Sequence, residues 1–184
     1  SQESIFGRKI VKRSTADNKR RFVNTVKTGD ILVTSSNGIG GFVGHAAIMT
    51  SDNWVLEMPG GVGAKDNNRQ ILKGAWFDIH AKEWTTVYRC PDNSAAKAAA
   101  RWADRTYYSP SGGTKKVIHI NYGITPNFKS INPSYCSKLV IQAYYYGTGS
   151  KSVIRNMHGV GIIAPTAIPN FFLSPYKLQN KGRF

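Results

Sequence analysis

Residues 29–58 and 84–89 contain short apolar runs with β-branched and aromatic residues, and Gly, Asn, Asp and Ser separate the runs between 29 and 58. Such runs are typical of short strands, and the residues between them are typical of tight turns. This pattern constrains the fold more than any other feature of the chain. The predicted strands are Ile31–Thr34, Val43–Met49, Trp54–Met58 and Trp84–Arg89, with a further candidate at Lys116–Tyr122.

Two helix signals follow the strands. The alanine-rich segment 94–103 has high helix propensity. A second helix is predicted to begin at Asn132-Pro133 and to run to about Tyr146, where Gly147 ends it. Proline suits the first position of a helix, and glycine suits the position after its last residue.

Length and composition limit the possible classes of protein. The 184 residues (20.3 kDa) fit one domain better than two, and 41% hydrophobic residues exclude wholesale disorder. No apolar run reaches the roughly 18 residues that a membrane-spanning helix needs. We expect residues 1–28 to be a basic N-terminal arm with at most a short helix at 15–26, and 29–184 to be a single domain.

The net charge is +15, and it is unevenly distributed. Ten Lys and Arg residues and no acid lie between Arg105 and Phe184, and residues 1–28 carry eight bases against two acids. A surface of this kind attracts polyanions such as nucleic acid, anionic lipid or an anionic cell wall. Nucleic acid is the less favoured partner because the chain has no ladder of basic and aromatic residues. A solvated basic surface that only aids solubility remains an alternative.

Cys136 is the candidate nucleophile. It falls in the first turn of the second predicted helix, where the helix dipole and unpaired backbone N–H groups favour a thiolate. The same N–H groups could stabilise an oxyanion. A buried structural cysteine is the alternative interpretation, and a disulfide with Cys90 is possible although not expected.

His45 and Glu57 are the candidate base and its acidic partner. His45 opens the second strand, and Glu57 lies twelve positions later inside the third, where a buried carboxylate needs a partner. If Ser51-Asp52-Asn53 form a three-residue loop, Ala47 opposes Glu57 and His45 lies diagonally across from it. A two-residue loop would place the two side chains on opposite faces of the sheet. Their pairing therefore depends on the register. His119 is a rival base.

These motifs together resemble the NlpC-type papain-like hydrolases. The segment Tyr135-Cys136-Ser137-Lys138-Leu139-Val140 resembles the cysteine helix of that family, and Gly44-His45-Ala46-Ala47 with Glu57 resembles its histidine hairpin. Because the histidine precedes the cysteine, the chain is most similar to the circularly permuted, YiiX-like branch. The lecithin–retinol acyltransferase group is a more distant likeness.

The resemblance implies an α+β, circularly permuted papain-like fold in which an antiparallel sheet packs against the cysteine-bearing helix. It implies a catalytic Cys136–His45–Glu57 site without a cofactor or a metal. Tyr135 and Lys138, which flank the nucleophile, are candidate substrate-binding residues. Tyr135 is more simply explained as a packed residue, and Lys138 could point to solvent.

The expected function is that of a cysteine peptidase or amidase, most simply one that cleaves peptidoglycan peptides through a thioester. Hydrolysis or transfer of lipid acyl groups by the same residues is the alternative enzyme function. A non-catalytic module that binds anionic polymer or lipid is the alternative outside enzymes. We expect a monomer from the bacterial cell envelope or the secreted fraction, whose signal segment is missing from the sequence, which starts at Ser1.

Overall fold

A computed structural model describes residues 3–6, 9–12, 14–35, 44–61 and 63–184. It consists of a short N-terminal hairpin, a six-stranded antiparallel sheet and helices on both faces of that sheet. The strands are β1 (Glu3–Phe6), β2 (Lys9–Lys12), β3 (Ile31–Thr34), β4 (His45–Met49), β5 (Trp54–Glu57), β6 (Arg69–Leu72), β7 (Thr85–Arg89) and β8 (Gln179–Arg183). The helices are α1 (Thr15–Thr25), α2 (Lys73–Ile79), α3 (Asn93–Tyr107), α4 (Cys136–Tyr146) and a 3₁₀ helix at Pro165–Phe171.

The strand order of the large sheet is β6-β5-β4-β3-β7-β8, and every neighbouring pair is antiparallel. The strands at the centre, β3 and β4, are buried along their whole length. They therefore carry apolar residues on both faces, because helices cover both sides. This arrangement confirms the predicted α+β class and the antiparallel sheet packed against the cysteine-bearing helix.

The two faces of the sheet support different packing layers. Ala46 and Ile48 point to one face, where they meet α3 and α4 in the larger hydrophobic cluster. Ala47 and Met49 point to the other face, where α1, α2 and the last residue, Phe184, complete a smaller and more aromatic cluster. Side chains alternate along a strand, so one short strand serves both layers.

The cysteine helix begins later than the sequence indicates. It starts at Cys136 rather than at Asn132-Pro133, and Tyr135 is its N-cap residue. The preceding residues are held elsewhere, since Ser134 N–H donates to Asn121 O and its carbonyl accepts from Gly123 N–H. Cys136 is therefore the first residue of the helix.

Several other elements differ from the sequence predictions. The strand expected at Lys116–Tyr122 is wrong, because Val117 and Ile118 N–H both donate to Tyr108 O and no ladder forms. The unpredicted elements are the N-terminal hairpin of β1 and β2, the polar edge strands β6 and β8, the short helix α2 and the 3₁₀ helix. Val43, the predicted start of the second strand, lies outside the described residues.

The division at residue 28 stays a prediction, and the side chains of residues 1–13 lie outside the described part of the chain. Within the predicted arm, Phe22 of α1 and Val26, the C-cap residue of that helix, belong to the smaller and more aromatic cluster. In the described part of the chain, no helix has the length and apolar content that crossing a membrane requires.

Candidate active site

The hairpin of β4 and β5 brings His45 and Glu57 together. Ile48 pairs with Leu56 and Met49 with Val55, which is the register of the three-residue loop. His45 Nε2 lies 2.7 Å from Glu57 Oε1, and both side chains are buried. The loop therefore has the three-residue length on which the predicted pairing of His45 with Glu57 depends.

Glu57 is held by two further donors that the sequence analysis did not include. Trp76 Nε1 donates to Glu57 Oε1 at 2.8 Å, and Arg69 Nε donates to Oε2 at 2.8 Å. A buried carboxylate stays charged only when donors and positive charge compensate for lost water. Arg69 lies opposite Glu57 because β6 pairs with β5, and the sequence did not predict β6.

Cys136 reaches this pair from the other side of the sheet. It is the first residue of α4, and the side chain of the N-cap residue Tyr135 makes no capping hydrogen bond. The thiol lies beside the His45 imidazole and the backbone N–H of Ala46, and both interactions lower its pKa. Because Nε2 of His45 faces Glu57, Nδ1 is the nitrogen available to the thiol. The helix N-terminus adds a positive field at the sulfur.

The electrostatics of the three groups favour a charged site. Burial raises the pKa of the Cys136 thiol, but its hydrogen bond to His45 and the charge of His45 outweigh burial and lower it. Burial opposes charge on His45 as well, but its bonds to Cys136 and Glu57 raise its pKa to about 10. For Glu57 burial is again overcome, chiefly by His45, and its pKa falls to about 2. The arrangement therefore favours a thiolate–imidazolium pair oriented by a carboxylate.

Tyr135 and Lys138, the two predicted substrate-binding residues, both have buried side chains. Tyr135 Oη accepts a hydrogen bond from Ile163 N–H at 2.9 Å. Lys138 Nζ donates to Ser130 Oγ and to Pro133 O at 3.0 Å each, so it does not point to solvent. The observed contacts of both are with the chain itself, and their roles toward substrate stay predictions.

The rival residues lie outside this cluster. His119 is exposed and its Nδ1 lies 2.8 Å from Asp66 Oδ1. Cys90 is buried, burial raises the pKa of its thiol, and both cysteines are free in this structure.

His80 belongs to the cluster, although its sequence context gave no partner for it. Its ring stacks on that of His45. One of its ring nitrogens lies within 4.8 Å of a ring nitrogen of His45 and of a carboxylate oxygen of Glu57. These three residues are the group best placed to hold a metal ion among the described residues. Arg69 and Trp76 already occupy the Glu57 oxygens, and the proton that His45 retains to high pH competes with any metal. The cluster is better suited to handling a proton.

A cysteine at a helix N-terminus beside a histidine and a buried acid is the arrangement found in sites with a thiol nucleophile, which accept and pass on acyl groups. The comparison with family models agrees with this chemistry. The chain belongs to the family described as lipoprotein N-acylation protein LnsA-like, whose model matches residues 3–182.

A relative from Bacillus thuringiensis, described as an uncharacterized 30.3 kDa protein, is 40% identical over 155 residues. The match covers 83% of this chain and 56% of the relative, so the chain spans little more than half of that protein's length. No solved structure matches the chain.

Proposed function

We propose that the chain is an acyltransferase that carries a lipid acyl group on Cys136 and passes it to an amine. The series Cys136–His45–Glu57, in which the thiol lies beside the hydrogen-bonded imidazole and carboxylate, is the observation that carries this proposal. The family's description, N-acylation of lipoproteins, supports the lipid alternative of the sequence analysis better than peptidoglycan hydrolysis. The permuted papain-like, YiiX-like topology remains part of the proposal.

The first half-reaction forms a thioester. The Cys136 thiolate attacks the carbonyl carbon of a lipid ester, and the carbonyl electron pair moves to oxygen. Backbone N–H groups in the first turn of α4 stabilise that oxyanion, because the N-cap side chain leaves them uncapped. The tetrahedral intermediate then expels the alcohol oxygen, which takes the proton from the His45 imidazolium.

The second half-reaction transfers the acyl group. An amine nitrogen attacks the thioester carbonyl, neutral His45 accepts a proton from it, and the Cys136 thiolate leaves. Glu57 stabilises the imidazolium that results, and the starting ion pair is restored. The N-terminal amine of a lipoprotein is the proposed acceptor, in line with the description of the family.

The +15 charge supports an anionic lipid surface as the place where donor and acceptor are met. A location at the bacterial cell envelope is part of the same proposal. A non-catalytic binding module is disfavoured because a mere scaffold has no need of a buried thiolate–imidazolium pair.

The proposal is tested by incubating the protein with vesicles of a phospholipid that carries an alkyne-tagged acyl chain. We expect intact mass spectrometry to find one added acyl group on Cys136, sensitive to hydroxylamine as a thioester is. Addition of a lipidated peptide with a free N-terminal cysteine amine should then move the tag to an amide. The variants are Cys136→Ala, which should accept no tag, and Cys90→Ala, the matched control, which should accept it normally.

Two results would overturn the proposal. One is the absence of tag on Cys136 while the protein releases fragments from purified peptidoglycan in a Cys136-dependent way, which would restore the amidase prediction. The other is salt-sensitive vesicle binding that Cys136→Ala leaves intact, with no acyl product of any kind.

A further inference from the structure

His80, at the end of α2, lies directly against the proposed base. The His45 and His80 rings stack with centroids 5.6 Å apart and planes 15° from parallel. Nothing in the series Cys136–His45–Glu57 requires this second histidine. Its position on one face of His45 nevertheless gives it a means of acting on that ring.

Four contacts connect His80, Trp76, Glu57 and His45 in a ring. Trp76 donates to Glu57 at 2.8 Å, and Glu57 pairs with His45 at 2.7 Å. His80 in turn packs on Trp76, with ring centroids 4.4 Å apart, and on His45. Trp76 and His80 are four positions apart, so they lie on the same side of α2. Helix α2 therefore positions both Trp76 and His80.

An outer anchor fixes His80 in this place. Its Nδ1 lies 2.8 Å from Glu83 Oε2, at the start of the segment that leads to β7. Its Nε2 is buried and has no hydrogen-bond partner in the described part of the chain. Leaving a buried nitrogen unpaired costs stability. Stacking and the contact with Glu83 therefore hold the ring here, although Nε2 is left without a hydrogen bond in the described part of the chain.

The plane of His45 needs such support. Rotation about the last torsion of a histidine is broad, because it joins an sp³ carbon to an sp² ring. The hydrogen bond to Glu57 fixes the position of one nitrogen but leaves the ring able to tilt. A tilt would carry the opposite nitrogen away from the Cys136 thiol.

We propose that His80, anchored by Glu83, is a positioning residue that holds the imidazole plane of His45 in line with both Glu57 and Cys136. The stacked ring covers one face of His45 and so limits the tilt of its plane. The consequence for chemistry rests on the proposed function, since positioning matters only if Cys136 reacts as a thiolate. The stacking itself does not depend on which acyl group is transferred.

The test is the pH profile of iodoacetamide alkylation at Cys136, followed by peptide mass spectrometry on the whole protein. We expect His80→Ala to move the midpoint upward by about one pH unit, which is about ten-fold slower reaction below it. His80→Phe keeps a stacking ring and should stay within about two-fold of the unmodified protein. His119→Ala removes an exposed histidine outside the site and should leave the profile unchanged.

Other outcomes overturn the proposal. If His80→Ala lowers only the melting temperature and keeps the alkylation profile, His80 is a structural residue. If His80→Phe slows alkylation as much as His80→Ala, ring stacking is not what acts. Should His80→Ala fail to fold, Glu83→Ala releases the same ring by its anchor, and an unchanged profile there is equally contrary.

Failure of the proposed function would look different. The unmodified protein would then show the profile of an ordinary cysteine and no acyl-thioester, whatever residue stands at 80. A normal thioester together with a His80-independent profile would remove only the positioning role.

Discussion

The layers on the two faces of the sheet are built from different residues and contribute different parts of the site. The α3–α4 layer is rich in alanine and aliphatic residues, and it supplies Cys136, the proposed nucleophile. The α1–α2 layer has the higher proportion of aromatic residues, and a polar cluster at its margin supplies the carboxylate, its donors and the second histidine. They meet at His45, the first residue of β4, which lies on the α1–α2 side and still reaches Cys136.

This difference separates the two demands on the site. A thiol at a helix N-terminus needs a close-packed scaffold but few polar partners, because the helix itself supplies the field. A buried carboxylate–histidine pair needs several fixed donors, because each uncompensated charge is costly. Damage to the α1–α2 layer should therefore affect stability and reactivity together, and damage to the α3–α4 contact should affect stability alone.

Glu57→Ala should have the largest effect. It leaves Arg69, Trp76 and His45 without their shared acceptor, and breaking a buried pair in this way costs about 3–5 kcal/mol. Acyl transfer should fall by about 10²–10⁴-fold, because the base loses its partner. Urea unfolding and single-turnover thioester formation measure the two effects.

Glu57→Gln is the matched control for that substitution. It keeps an acceptor oxygen for Trp76 but removes the charge that stabilises the His45 imidazolium. We expect it to recover part of the stability and little of the activity. Equal activity for the unmodified protein and Glu57→Gln would mean that the carboxylate has no part in the chemistry.

Acid should remove most of the stability that Glu57 contributes. Its folded pKa of about 2 lies below its ordinary value of 4.5, so the contribution is present above pH 4.5 and is lost as pH falls toward 2. The size of that loss is roughly 3 kcal/mol. The free energies of unfolding of the unmodified protein and Glu57→Gln should converge over this range. A gap that stays constant down to pH 3 would contradict the assigned shift.

Gly147→Ala tests the α3–α4 layer. A Cβ at Gly147 would come within 2.4 Å of Ala143 O and 2.8 Å of Trp102 Cβ, where α4 ends against α3. We expect a loss of about 1–3 kcal/mol, as for other overpacked contacts. The Cys136 alkylation profile should not change, since His45 and Glu57 belong to the other layer. Gly161→Ala is the matched control, because a Cβ there meets nothing within 4 Å.

Gly147 also illustrates what sequence could predict and what it could not. The end of α4 is correctly predicted there from the preference for glycine after the last helical residue, a preference that generally reflects its ease in taking a left-handed conformation. The observed φ of −69° is ordinary helix backbone, and the requirement is instead the close approach of Trp102 and Ala98. Local propensity located the boundary, and a tertiary contact explains it.

The candidate site divides in the same manner. The His45–Glu57 pairing could be predicted because it depends on one hairpin and its loop length. Arg69, Trp76 and His80 could not, since β6 is too polar to be recognised as a strand and α2 is only seven residues long. The remaining signal was the i, i+4 spacing of Trp76 and His80, which indicates a shared helix face only once a helix is known.

Lys138→Met should have the smallest effect, and it tests whether Lys138 binds substrate, which the sequence left open. Burial lowers the pKa of Lys138 to about 8, and its amine bonds only to Ser130 and Pro133 among the described residues. A buried cation without an acid is replaced by an apolar side chain of similar length, so we expect a change within about 1 kcal/mol at pH 7. Because the folded pKa lies below its ordinary value of 10.5, the unmodified protein should gain stability relative to Lys138→Met as pH rises from about 8 to 10.5.

The KM for the phospholipid donor should be unchanged if Lys138 only supports the turn before α4. A KM that rises many-fold, with no pH-dependent difference in unfolding, would instead make the amine a substrate-binding group and place part of the substrate in the α3–α4 layer.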